Sequence, residues 1–258
     1  MAESRESARV ALVTGAAKRV GRAIAIELAN CGFDIAIHCR ESIEDARRLA
    51  TDIERTGRRT TVIPADLSDP KCWPRMVPFV IEAFGRLDVL INNASVFTRD
   101  TVSSANESNA SPDTFDPAHW ERTFRINVVA AAALCQSARP HLARTARGKI
   151  INLLDVCADR PWPDYLAYGA SKAALAAVTK GLAVAFAPEI QVCGVAPGIA
   201  LFPDNYTPAM RDRLVGRIPL GRAGTQEEVA RLVRFLVESA DYITGQIIAI
   251  DGGRSVSW

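Results

Sequence analysis

The sequence predicts a single α/β domain in which a mainly parallel sheet of seven strands is covered by helices on both faces. Three observations predict it. Short β-branched runs alternate with longer helical patterns along the whole chain. The strand runs are almost wholly apolar, as expected of strands buried on both faces. No internal repeat and no Pro/Gly linker divides the 258 residues, a length that one domain of this class commonly reaches.

The elements follow in order. Val10 to Thr14 is the first strand, followed by a helix from about Val20 to Cys31. Phe33 to Cys39 and Thr60 to Pro64 are the next two strands, with helices over about Ile43 to Gly57 and Cys72 to Phe84. Leu87 to Asn92 is followed by a long helix from about Pro117 to Arg144, and Lys149 to Leu154 by a helix from about Tyr165 to Ala187. Ile190 to Val195, a helix near Gln226 to Glu238 and a strand Gln246 to Ile250 complete the pattern. This alternation is that of a doubly wound, Rossmann-type sheet, which binds its ligand beyond the carboxyl ends of the strands. Two irregular stretches, residues 98–117 and 199–219, follow strand ends and are expected to form walls of that crevice. A mobile surface loop is an equal reading for the first. Residues 1–7 are expected to be flexible.

Composition narrows the function classes. Apolar residues make up 48% of the chain, enough for a continuous core, and the net charge is +2. The 31 basic residues are 26 Arg and 5 Lys, scattered, with nothing longer than pairs such as Arg47-Arg48 and Arg58-Arg59. No tract therefore points to nucleic acid or to an anionic membrane surface. His38, His119 and His141 stand far apart, which leaves little for a metal centre or a serine-hydrolase triad. The six cysteines form no C-x-x-C and mostly lie in apolar runs, as buried free thiols in a reducing compartment would. A charged amino-terminal segment and the absence of any run of 18 apolar residues predict a cytoplasmic protein with no membrane partner.

Several residues carry chemistry. After the first strand stands Thr14-Gly15-Ala16-Ala17-Lys18-Arg19-Val20-Gly21. Gly15 allows a tight turn out of the strand, and Gly21 lets a phosphate approach the backbone N–H groups at the start of the helix. The spacing is not G-x-G-x-x-G, because Lys18 and Arg19 fill the middle of the loop. The second strand ends in His38-Cys39-Arg40, a basic tip where an acidic residue would bind a ribose diol, and such a tip suits a 2′-phosphate. Asp66 has two readings, an acceptor for an adenine amino group or a cap for the next helix. Asn93, Ala94 and Ser95 at the end of the fourth strand are small polar or neutral residues able to line a crevice. Tyr168 and Lys172 share one helix face at four-residue spacing. A cation there would stabilise phenolate and lower the Tyr168 pKa, although such a pair on its own is more often an exposed helix face.

Taken together these residues resemble the short-chain dehydrogenase/reductase family. The motifs T-G-x-x-x-x-x-G, Asp66-Leu67, N-N-A, Asn127, Y-x-x-x-K, Pro197-Gly198 and Asp251-Gly252-Gly253 stand in the family's order over residues 8 to 254. The resemblance implies a nicotinamide cofactor held by Gly15, Lys18, Arg19, Val20, Gly21, His38, Arg40, Asp66, Leu67, Asn93, Ala94, Ser95, Pro197 and Gly198, and Asn127, Tyr168 and Lys172 as catalytic residues. Lys172 would also hold the nicotinamide ribose. One departure matters: most of the family has Ser 13 residues before the Tyr, and this chain has Asp155. A carboxyl suits proton delivery to a ring nitrogen, a hydroxyl suits a carbonyl oxygen; a silent replacement or an inactive site is the plain alternative. Asp155, T-G-A-A-K-R-x-G, His38 with Arg40, and N-A-S-x-F ending in Phe97 resemble the pteridine reductase subgroup. By that resemblance Phe97 would stack on a flat heterocycle, or else plug the core, while Ser95 and Arg19 would bind its polar edges. The leading expectation is an NADPH-dependent pteridine reductase, metal-free and homotetrameric. A general carbonyl reductase acting on ketones or 3-oxoacyl groups, and a cofactor-binding sensor without turnover, are the alternatives.

Overall fold

The computed structural model describes residues 8–100, 115–202 and 206–257. Its strands are β1 (Val10–Val13), β2 (Asp34–Cys39), β3 (Thr60–Pro64), β4 (Val89–Asn92), β5 (Gly148–Leu153), β6 (Ile190–Pro197) and β7 (Ile247–Ile250). They form one sheet in the order β3-β2-β1-β4-β5-β6-β7, and every pairing is parallel, so "mainly parallel" becomes wholly parallel.

The two-residue period of each strand divides the core. In β1, Ala11 and Val13 pack with Ile24 and Leu28 of α1 (Arg19–Asn30), Leu49 of α2 (Ile43–Glu54) and Val233 of α8 (Gln226–Glu238). Val10 and Leu12 face the other way, onto Val77 of α3 (Trp73–Phe84), Leu134 of α5 (Ala131–Leu142) and Phe186 of α6 (Leu166–Phe186). Both faces are therefore apolar, which explains why the strand sequences show no polar alternation. The chain leaves β1 for β2 and β3, then crosses back to β4, and this reversal opens a crevice above the carboxyl ends of β1 and β4.

Two expectations change. The long helix predicted from Pro117 is interrupted: α4 (Pro117–Phe124) passes through a π-helical segment, Arg125–Ala130, into α5. Such an extra residue is invisible to a 3.6-residue pattern, and it is frequent at functional sites; here it carries Asn127. The second irregular stretch contains α7 (Pro208–Val215). Pro208 occupies the first turn of this helix, where no N–H is needed, and the Thr207 side chain accepts Met210 N–H. Residues 1–7, 101–114 and 203–205 lie outside the described residues, and so do the expectations made for them.

Candidate active site

A cleft of about 910 Å³ opens above the strand ends. The expected cofactor, substrate and catalytic residues line it with the exception of Asn127, from Gly15, Lys18, Arg19, Val20 and Gly21 at one end to Asp155, Tyr168, Lys172, Pro197 and Gly198 at the other.

The first loop is held by buried polar groups. Thr14 Oγ1 accepts from Asn93 N–H and Ala94 N–H at 2.9 and 3.0 Å, and Asn93 Nδ2 donates to the carbonyls of Thr14 and Gly15. Gly15 has φ +62°, in the left-handed region that favours glycine, and a Cβ on Gly21 would stand 2.3 Å from the Gly15 carbonyl oxygen. The amino end of α1 has no side-chain cap and no acidic residue in its first turn. Its free N–H groups and positive dipole end thus face the cleft, the arrangement that takes phosphate. Arg19 itself has φ 54°, a strained conformation for a side chain larger than Asn.

His38 serves this loop. Gly15 N–H donates to Nδ1 at 3.0 Å, which requires Nε2 to be the protonated nitrogen, and Nε2 donates to the Ala65 carbonyl at 3.0 Å. Burial lowers its pKa, keeping the ring neutral. The reading of His38 as a charged phosphate ligand is therefore corrected: both nitrogens are spent on joining the first loop to the end of β3. The basic edge consists instead of exposed Arg40, beside Glu41 at 3.0 Å, and Lys18, beside Asp45 at 2.9 Å. Asp66 does not cap α3, whose N-cap is Cys72. Its Oδ1 accepts Ser68 N–H at 2.8 Å, which lowers its pKa and fixes it as an anion at the cleft wall.

The reactive end is built on β5 and α6. Asp155 follows β5 and is half-buried; its Oδ1 accepts Cys157 N–H at 2.8 Å and its Oδ2 accepts the Tyr168 hydroxyl at 3.1 Å. Lys172 Nζ lies 5.5 Å from the Tyr168 ring and donates to the Leu153 carbonyl at 2.8 Å. Burial raises the Asp155 pKa, raises that of Tyr168 well above 10 with Asp155 adding to the effect, and lowers that of Lys172 to about 8. The Tyr168 pKa is therefore raised rather than lowered in this arrangement, by burial first and by Asp155 next. Burial thus disfavours the charged forms of both Asp155 and Tyr168, and the phenol donates to the carboxyl.

Asn127 reaches no open part of the cleft. Its Oδ1 accepts Val96 N–H at 2.8 Å and the Ser95 hydroxyl at 3.1 Å, and its Nδ2 donates to Ser171 Oγ at 2.9 Å. It ties the segment after β4 to α6 and acts as a positioning residue. Asp100, missed from the sequence, does similar work: its Oδ2 accepts Leu166 N–H and Ala167 N–H, capping α6 two turns before Lys172, while Oδ1 meets His119 Nε2 at 3.0 Å.

Phe97 is 38% exposed, which excludes the core-plug reading. It stacks on Tyr165 at 4.5 Å between centroids and meets Tyr168 edge-on at 4.8 Å. Trp162 closes this aromatic wall, with the Arg254 guanidinium 5.1 Å above its ring. Trp162, Tyr165, Tyr206, Arg217 and Arg254 were not found from the sequence; an aromatic cluster directly before Tyr168 was the available signal for the first two. All six cysteines are free, four buried and Cys31 and Cys72 only partly so.

Known proteins resemble this chain over nearly its whole length. Residues 15–255 match the family described as enoyl-(acyl carrier protein) reductase. The chain is 33% identical to a 3-oxoacyl-acyl-carrier-protein reductase FabG of Staphylococcus aureus (strain N315), covering 94% of this chain and 96% of the relative. Among solved structures, FolM alternative dihydrofolate reductase 1 of Brucella canis, complexed with NADP, superposes with a TM-score of 0.87 at 34% identity, over 98% of this chain and 96% of that one. Acetoin dehydrogenase YohF of Salmonella typhimurium gives 0.84 at 32% identity, over 97% and 98%.

Proposed function

The chain belongs to the short-chain dehydrogenase/reductase family of oxidoreductases, and from that premise we propose that it uses NADPH to reduce a pteridine ring. One observation carries the substrate: a half-buried carboxyl, Asp155, bonded to the Tyr168 hydroxyl where most of the family places a serine. The likeness to a dihydrofolate reductase bound to NADP supports it.

The residues fit NADPH. The uncapped amino end of α1 suits the pyrophosphate, Arg40 and Lys18 the 2′-phosphate, Asp66 an adenine amino group, and Lys172 the nicotinamide ribose. Bound there, the cofactor supplies a hydride to a ring carbon. The protein's task is the proton. Asp155, whose pKa burial raises, donates to the ring nitrogen and takes its replacement proton from water in the open cleft, while the Tyr168 hydroxyl donates to Oδ2 and orients the carboxyl. Lys172 keeps a positive charge beside the phenol, and Phe97 offers a flat face for the heterocycle. Ser95 and Arg19 border the same space and would meet the ring's polar edges.

A second reading, reduction of 3-oxoacyl groups, is supported by the FabG relative. NADPH consumption with dihydrobiopterin, dihydromonapterin and dihydrofolate, beside acetoacetyl thioesters and simple ketones, separates the two. The pterins are expected to turn over faster; turnover of ketones alone would replace the first reading by the second. Exposed Val129 and Val184 on the helices beside the sheet support a homotetramer, and free cysteines support a cytoplasmic location.

A further inference from the structure

The cleft wall farthest from the first loop carries two arginines that the reaction does not use. Arg254 follows β7, at the opposite edge of the sheet from β2 and β3, and Arg217 follows α7. The Ser257 hydroxyl lies within hydrogen-bond distance of both their carbonyls, 3.2 Å from Arg217 and 3.0 Å from Arg254. Leu220 N–H donates to the Gly252 carbonyl at 3.1 Å, fastening the same two segments again. The backbone thus fastens the two segments together, and both arginines line the cleft.

Neither guanidinium has an ion-pair or hydrogen-bond partner among the described residues. Arg254 is half-buried with only the Trp162 face beneath it. Burial holds its pKa below the usual value, and Arg217 lowers it further, although Asp155 and Asp251 pull the other way. Several arginines of this chain are paired, Arg59 with Asp34, Arg222 with Glu228 and Arg234 with Glu27, and what distinguishes Arg254 is being unpaired while half-buried. A half-buried, unpaired guanidinium beside a second one is costly unless an anion joins them. Trp162 meets Phe97 edge-on and Phe97 meets Tyr168, so Arg254, over the Trp162 face, borders the same aromatic wall as the reactive phenol, with Asp155 near enough to act on it.

We propose that Arg254 and Arg217 form an anion subsite for a carboxylate carried on the substrate's tail, so that the enzyme prefers a pterin bearing an acidic side chain to a compact neutral one. This rests on the pteridine reading and deepens it. Arginine forks match carboxylates in geometry as well as charge, and Tyr206, on the same wall, adds a hydroxyl.

The test is equilibrium binding of folate and of biopterin to the NADP-saturated protein, with kcat/KM for dihydrofolate and dihydrobiopterin measured in parallel. Arg254→Ala/Arg217→Ala is expected to lower the folate-to-biopterin affinity ratio by about tenfold or more, through KM rather than kcat. Arg254→Lys should keep part of the preference, and about 0.5 M salt should erode it in the unsubstituted protein. An unchanged ratio in a variant of unaltered Tm would overturn the subsite. If the unsubstituted protein neither binds nor reduces any pterin, the pteridine reading has failed on its own account. The same variants are then compared on acetoacetyl-CoA, which carries phosphates, and on neutral acetoin. Loss of the preference for the charged ketone would keep the anion subsite, and equal losses on both would remove it.

Discussion

The two ends of the cleft are built on different principles. At the first loop, polar groups are matched: Thr14, His38 and Asn93 bind the backbone of residues 14–15, 65 and 93–94, leaving the amino end of α1 free. At the far end, stacked rings and unpaired arginines come from segments after β4, β5, α7 and β7. A fully satisfied network fixes one geometry for a constant ligand. A wall of rings and open donors suits the part of a substrate that varies between relatives.

The largest expected effect breaks the first end. Gly21→Ala places a Cβ against the Gly15 carbonyl and should weaken NADPH binding by at least about 100-fold, measured by cofactor fluorescence, whichever substrate is present. Ordinary affinity in that variant would show that the loop yields where a tight fit is claimed.

Asp155→Ser should cut pterin reduction by about 100-fold or more while leaving any ketone reduction much less affected, since general-acid groups contribute on that order. Equal losses on both substrates would reduce Asp155 to the cap of the turn at Val156–Ala158.

Lys172 gives the comparison a pH axis. Its ammonium, with a pKa lowered to about 8, is charged below that pH and neutral above it. If the charge is needed, kcat/KM falls on the alkaline side, by about tenfold per unit once past the pKa. A profile flat to about pH 9.5 would contradict the assignment.

Phe97→Ala should act on KM, with a loss of about 1 to 3 kcal/mol if base stacking is a guide, and should not alter NADPH affinity. The smallest effect is expected from Arg40→Asp. Because Arg40 is exposed, its removal should shift the NADPH-to-NADH affinity ratio by about tenfold or less, and tighter NADH binding to the unsubstituted protein would remove the 2′-phosphate assignment.

Much of this was legible in the sequence because it is local. Strand and helix identity follow from two- and 3.6-residue periods, so Val10–Val13 and Gln226–Glu238 were found close to their true bounds. The first-loop glycines and the Tyr168/Lys172 spacing lie within eight and five residues of chain. The π-turn at Asn127 and α7 escaped because one extra residue leaves no periodic mark and a proline at a helix start resembles one in a loop.

What only the tertiary structure decided is what each group does once it is buried. Sequence spacing set Lys172 beside Tyr168, but the proton affinities of the two, and of Asp155, come from desolvation by segments far along the chain. His38 looked like a phosphate ligand from its neighbours and became a staple because Ala65 and Gly15, 27 and 23 residues away, meet its two nitrogens. Arg217 and Arg254 were two scattered arginines until the turn after β7 packed on the end of α7. Periodicity and motif spacing are properties of a short stretch of chain, whereas ionisation, pairing and cleft shape depend on which stretches fold against one another.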